Sequence, residues 1–209
     1  AISPDSRQAL SGSADKTVIL WDMTSGEQIR SFTGHGDGVS AVSFITDGRR
    51  ALSGDDSGTL PGELIVWDLA SGAEVRRFGG DRAEEVEGVL SLATSPDARL
   101  AVVGYARRLP SQDEDSVAVW DIETGELVQY LQGTERAVNS IAISPDGKLA
   151  LGASDDASIY VWSLETGALL QRLAGHEGIA SAVAVSPDGT TALSGAFNGA
   201  MIWWDLRTG

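Results

Sequence analysis

"SPDGKLALGASDDASIYVWSLETGALLQRLAGH" runs from residue 144 to residue 176. Pro followed by Asp and Gly sets a tight turn between antiparallel strands. "KLALGA" and "SIYVWS" are short strand-like runs on either side of a polar "SDDA" connection. A second turn, "LETGA", leads into "LLQRL". No segment of the chain shows sustained helical periodicity. A unit of this size cannot bury its own apolar faces, so repetition is the next thing to look for.

The unit recurs. Trp21, Trp67, Trp120, Trp162 and Trp204 end the runs "TVILWD", "ELIVWD", "SVAVWD", "SIYVWS" and "AMIWWD", with spacings of 46, 53, 42 and 42 residues. The remaining Trp is the neighbour Trp203. A bulky side chain at one point of a period near 42 implies one structural slot filled five times. The first turn of the period begins at Ser3, Thr46, Ser95, Ser144 and Ser186, and the second appears as "MTSGE", "LASGA", "IETGE" and "LETGA". Each period offers up to four short strands. Four-stranded sheets repeating along a chain suggest blades arranged around an axis.

Composition agrees and excludes several alternatives. With 209 residues, 42% of them apolar, the chain can bury a sizeable core. It has no Cys, which removes disulfides, thiolate metal sites and a cysteine nucleophile. No apolar run approaches the roughly 20 residues of a membrane-spanning helix. The net charge of −15 argues against a nucleic-acid partner and against docking on anionic lipid. A cytoplasmic location is the expectation. No Walker-type loop or dinucleotide fingerprint is present. The acidic stretches "DRAEEVEG" and "QDEDS" lack the spacing of a calcium loop. No metal, cofactor or catalytic set is expected.

Repeated Trp-Asp, the Ser-Pro-Asp-Gly turn, Gly-His pairs and Ser-Gly in the second strand resemble the WD-repeat β-propeller family, over nearly the whole chain. The phrasing is most similar to bacterial members. The resemblance implies an all-β fold of four-stranded antiparallel blades. Their expected spans are 1–33, 34–79, 80–132, 133–174 and 175–209, with the first and last incomplete. It also gives the histidines a structural role, in a buried hydrogen-bond network with a Ser or Thr, an Asp and the strand Trp. The matching residues are His35, Ser53, Asp56 and Trp67 in the second repeat, and His176, Ser194, Asn198 and Trp204 in the fifth. The first repeat offers Ser11, Asp15 and Trp21. The third keeps Trp120 but has Asp81 for His and Val103 for Ser. The fourth has Thr134 and Gly152 in those places and keeps Asp156 and Trp162. Family members usually have seven blades. The five visible here are therefore expected to belong to a longer chain with roughly two more blades; the alternative is a five-blade ring closed by tight packing or by a partner's strand.

The period is not uniform. From the turn Pro, or its equivalent, to the Trp, the repeats measure 17, 21, 24, 17 and 17 residues. Repeats two and three thus carry extra residues between their second and third strands. The third has a further insertion before its first strand: Asp81 stands 8 residues before Val89, whereas His35 stands 4 before Val39. Loops tolerate such length and often carry function. In an antiparallel blade these connections emerge on one face. Tyr105, Arg107, Arg108 and Leu109 in "YARRLPSQDED", with Arg82 in the preceding insertion, are the candidate partner contacts, Tyr and Arg being enriched at interface hot spots. Alternatively, the insertions are neutral and their arginines pair with nearby acids.

The function expected is a non-catalytic protein-interaction scaffold or sensor module within a larger bacterial regulatory or signalling protein. A structural accessory subunit of a stable complex is the alternative. A propeller hydrolase is a remote third, because no Ser-His-Asp set can be assembled without taking a blade histidine.

Overall fold

The computed structural model describes residues 1–56, 62–80, 88–106, 116–134 and 136–208, and among these there is no helix. The first sheet holds β1 (Gln8–Gly12), β2 (Thr17–Asp22) and β3 (Gln28–Thr33). The second holds β4 (Val39–Phe44), β5 (Arg50–Asp55), β6 (Leu64–Asp68) and β7 (Glu74–Phe78). The third holds β8 (Val89–Thr94), β9 (Leu100–Tyr105), β10 (Val117–Asp121) and β11 (Leu127–Leu131). The fourth holds β12 (Val138–Ile143), β13 (Leu149–Ser154), β14 (Ser158–Ser163) and β15 (Leu169–Ala174). The fifth holds β16 (Ala180–Val185), β17 (Thr191–Ala196) and β18 (Met201–Asp205). Strands follow chain order within every sheet, and all pairings are antiparallel. Three sheets are thus four-stranded, while the first and fifth have three strands. In the first sheet, a single bridge from Ile2 to Ala9 lies on the open side of β1. Among the described residues, no strand pairing closes the fifth sheet onto the first.

The turns explain why each strand ends where it does. In the fourth sheet, Ser144 Oγ donates to Asp146 at 2.6 Å and accepts the Leu149 amide at 2.9 Å, so the Ser-Pro-Asp-Gly turn is tied at both ends. Gly147 has φ +71°, the left-handed region where a side chain is strained. In the matching turn of the fifth sheet, the Ser186 hydroxyl and the Thr190 amide and hydroxyl bring the Asp188 carboxyl down to about 2. The Asp that follows four of the five repeat Trp caps the second turn: Asp121 accepts the amides of Glu123 and Thr124, both at 2.9 Å, and Ser163 takes this place after Trp162.

Side chains alternate across a strand, and both faces of the inner sheets are covered. The core lies in seams between consecutive sheets. Leu10, Val18, Leu20 and Phe32 of the first sheet pack on Val39, Ile65 and Trp67 of the second. The opposite face of the second sheet, with Leu64, Val66 and Phe78, packs on Val103, Tyr105 and Trp120 of the third. The pattern repeats at Trp162 and at Trp204. Each seam thus sets the Trp of the later sheet against the outer strand of the earlier one. Phe32 and Trp67 have ring centroids 5.6 Å apart, as do Phe78 and Trp120.

Close approach of sheets favours glycine at one register position in three sheets, with Ala153 in that place in the fourth. A Cβ on Gly12 would lie 2.6 Å from Val39, one on Gly54 would lie 2.6 Å from Val89, and one on Gly104 would lie 2.6 Å from the Val138 carbonyl. Each is the inner strand of the next sheet. Gly195, in the same register, meets nothing within 4 Å. On that same free side of the fifth sheet, Met201 and Trp203 are 69% and 68% exposed, whereas their counterparts Ile159 and Val161 are buried.

A clasp recurs along the outer strands. Arg30 donates to the Ala70 and Ser71 carbonyls at 2.8 and 3.1 Å, and Arg76 to Thr124 at 3.2 Å. Gln129 donates to Leu164 at 2.8 Å, and Gln171 to Leu206 at 3.4 Å. Each stands nine residues after its own Trp and reaches the second turn of the next sheet.

Candidate functional site

The networks around each Trp set the frame that carries the loops. At the second sheet, Ser53 Oγ accepts the Trp67 indole N–H at 2.7 Å and lies 2.6 Å from His35 Nε2. His35 Nδ1 lies 3.2 Å from Asp55. The consistent assignment has the Ser53 hydroxyl donating to Nε2 and Nδ1–H donating to the carboxylate. Burial pushes the Asp55 carboxyl up, but hydrogen bonds from His35 and the Glu63 amide outweigh it and hold the group below its ordinary value. The carboxylate of this network is therefore Asp55, not Asp56, which is exposed in the following loop.

The other sheets depart from that set. At the fifth, Ser194 accepts the Trp204 N–H at 2.7 Å and lies 2.7 Å from His176 Nε2. Ala196 holds the register of Asp55, and His176 Nδ1 is buried without a hydrogen-bond partner among the described residues. Asn198 does not supply it; its oxygen caps the Ala200 amide at 3.1 Å. At the first sheet, Trp21 donates to Ser11 at 2.9 Å. Asp15 is not brought to that pair, because its carboxylate closes its own turn on the Thr17 amide and hydroxyl. At the fourth sheet, Trp162 donates instead to the Gln132 carbonyl at 2.8 Å. A Cβ on Gly152 would lie 2.7 Å from the Trp162 ring, so the glycine makes room for that placement. Asp156 accepts from the Tyr160 hydroxyl at 2.6 Å and from Arg172 at 2.8 Å, rather than from the Trp. Tyr160 stacks on Trp162 at 5.5 Å. Thr134 is buried and accepts the Ser116 amide at 2.9 Å.

The third sheet corrects a sequence expectation. Tyr105 is not a surface contact. It ends β9 only 1% exposed, and its hydroxyl accepts the Trp120 indole N–H at 3.0 Å. It shares strand parity with Val103, so it points into the same seam. A phenol thus does at this sheet what serine does at three others. Arg82, Arg107, Arg108 and Leu109 lie outside the described residues.

The roots of the three insertions come together. Segment 57–61 joins β5 to β6, 81–87 joins β7 to β8, and 107–115 joins β9 to β10. Their flanking residues meet: the Ala106 amide donates to the Gly88 carbonyl at 3.0 Å. A Cβ on Gly88 would run into Asp56, and one on Gly62 would lie 2.5 Å from the Val89 nitrogen. The Asp56 amide donates to Gly38 at 2.9 Å, and Ser116 Oγ donates to the Arg136 carbonyl at 2.8 Å. The described residues that flank the three enlarged connections therefore adjoin one another at one end of the second and third sheets. Among the described residues, no cluster of His, Asp and Glu suited to a metal is found. Among the same residues, no helix is long and apolar enough to cross a membrane.

The WD40 profile (WD domain, G-beta repeat) matches residues 1–22, 26–60, 125–163 and 167–205, more than half of the chain. The third sheet up to Asp121 falls outside that match. The guanine nucleotide-binding protein subunit beta of Zea mays is 30% identical over 151 residues, covering 69% of this chain and 37% of that protein. That of Arabidopsis thaliana is 33% identical over 143 residues, covering 66% and 35%. The nuclear distribution protein PAC1 of Arthroderma otae is 28% identical over 153 residues, covering 72% and 32%. The chain spans about a third of the length of these curated relatives. All three are eukaryotic, and none supports a bacterial source.

Proposed function

The chain belongs to the WD40 repeat family, and from that premise we propose that it is a non-catalytic protein-interaction module whose partner contacts the face bearing the three insertions. The observation that carries this is the meeting of the loop roots at Gly88, Ala106, Asp56 and Gly62. Loops on a rigid scaffold are where recognition is placed. The sequence adds two adjacent arginines, Arg107 and Arg108, within an otherwise acidic chain. A regulatory or sensor role within a larger protein is the form of this reading we favour. To test it, wild-type protein and an Arg107→Glu/Arg108→Glu variant are used to capture partners under native conditions. We expect the variant to melt as wild type does and to lose a discrete partner. Unchanged capture by a folded variant removes the claim for this face.

A second reading, a subunit within a stable assembly, is favoured by the free side of β18. Met201 and Trp203 occupy positions that elsewhere are covered by the next sheet, and Gly195 leaves the space for one. We propose that a further sheet, of the same polypeptide or of a partner, covers this side.

A further inference from the structure

A cavity of about 690 Å³ opens on the outer flank of the seam between the second and third sheets. Its apolar wall comes from Phe78, Leu127 and Trp120, and its charged rim from Glu63, Glu126 and Arg77. The matching place in the first seam is filled. There a Cβ on Gly34 would lie 2.9 Å from the Trp67 ring, and Arg77 closes over the Gly34 carbonyl at 2.9 Å while holding Glu74 at 2.8 Å. The His35 ring lies 6.1 Å from Trp67. At the third sheet, Gly80 turns to Glu63 instead, where a Cβ would lie 2.9 Å from its side chain. Leu127 stands in the register of Glu74 and brings no charge to close the gap.

The rim selects a ligand charge. Arg77 is already divided between Glu63 and Glu74, and Glu126 is exposed with no ion pair among the described residues. The opening is therefore net acidic, in a chain of net charge −15. We propose that this cavity takes an arginine or lysine side chain from an extended basic segment of a partner protein. The aliphatic stem lies along Phe78 and Leu127, beside Trp120, and the cation sits between Glu63 and Glu126 at the rim. The volume falls within the usual range for a binding pocket, about 300–1,000 Å³, and admits the side chain with adjoining backbone. The proposal rests on the interaction-module reading but uses the flank rather than the insertion loops.

The test titrates the whole chain with a fluorescein-labelled peptide, Gly-Gly-Arg-Leu-Arg-Gly-Gly, at about 0.15 M salt, where surface charges are screened beyond roughly 8 Å. Glu126→Lys is compared with Glu27→Lys, which makes the same charge change at the same register of the first sheet. We expect Glu126→Lys to weaken binding tenfold or more and Glu27→Lys to change it less than twofold. The Trp120 indole N–H resonance, assigned with Trp120→Phe, is expected to shift. Equal losses in the two variants, no binding at this salt, or an unmoved Trp120 resonance each overturns the proposal. Peptide binding by a protein that captures nothing through Arg107 and Arg108 leaves this proposal standing and removes only the insertion face.

Discussion

The indole N–H of Trp120 donates to the hydroxyl of Tyr105 at 3.0 Å, with both side chains buried. At this sheet the residue that anchors the Trp ends β9, two residues before segment 107–115. Fold and loop thus meet at one side chain. Tyr105→Phe removes the acceptor and leaves the ring. Losing a buried hydrogen-bond partner costs about 1–3 kcal/mol, so we expect a clear drop in thermal midpoint. A melting curve equal to wild type would show that the contact contributes nothing.

Asp55 gives stability a pH dependence of known sign. Its folded pKa is held below the ordinary carboxylate value. Its contribution is therefore fully present above that value and is lost as pH falls through the folded pKa. Asp55→Asn should be less stable than wild type at neutral pH. The gap should narrow as pH drops below about 4, where the unfolded carboxyl protonates. Denaturant melts at pH 7, 4 and 3 check this, and a gap independent of pH contradicts it.

His176 lacks what Asp55 gives His35. Ala196→Asp places a carboxylate in the same register, within reach of the partnerless Nδ1. Hydrogen bonds to charged groups contribute about 1.5–3 kcal/mol, against the cost of burying the carboxylate. We expect a net gain of about 1 kcal/mol at pH 7 from equilibrium unfolding. A loss of that size would mean that the fifth sheet cannot solvate the charge.

The outer-strand clasp predicts a rescue. Gln129→Ala gives up the bond to Leu164 and should cost about 0.5–1.5 kcal/mol. Gln129→Arg should restore most of it, because Arg30 and Arg76 fill that slot in two other sheets. An arginine variant as weak as the alanine variant argues that the slot is packing alone.

The free side of β18 predicts self-association. Exposed apolar faces and unpaired edges drive nonspecific contact. Met201→Glu combined with Trp203→Glu should lower the apparent mass of the 209-residue chain in light scattering. No change on substitution would mean that this side does not govern association.

Much of the fold was legible because each Trp and each turn is a local signal. A bulky residue at a recurring spacing, with an Asp-containing turn before it and in four of five repeats an Asp after it, needs no tertiary information to be read. The departures were less legible for physical reasons. Asp55 and Asp56 are adjacent carboxylates beside an insertion, and only strand register tells which one faces His35. Tyr105 looked like a contact residue because it precedes two arginines, yet its parity with Val103 carries the inward direction. Asp15 and Asp156 carry the right residue type but sit in turns short enough to be closed by their own carboxylates. Arg30, Arg76, Gln129 and Gln171 resemble solvent-facing residues until the next sheet supplies its carbonyls. The meeting of the loop roots was readable only as a shared face, since it depends on Gly62 and Gly88 letting neighbouring backbones touch.

We propose that the 107–115 enlargement serves binding and not folding. The direct measurement replaces residues 106–115 with the Asp-Asp-Ala connection of the fourth sheet, then records both thermal unfolding and capture of the partner retained by wild type. The account predicts a cooperative melt close to wild type, with capture lost. Capture that survives in a folded shortened chain, or a chain that no longer folds, would contradict it.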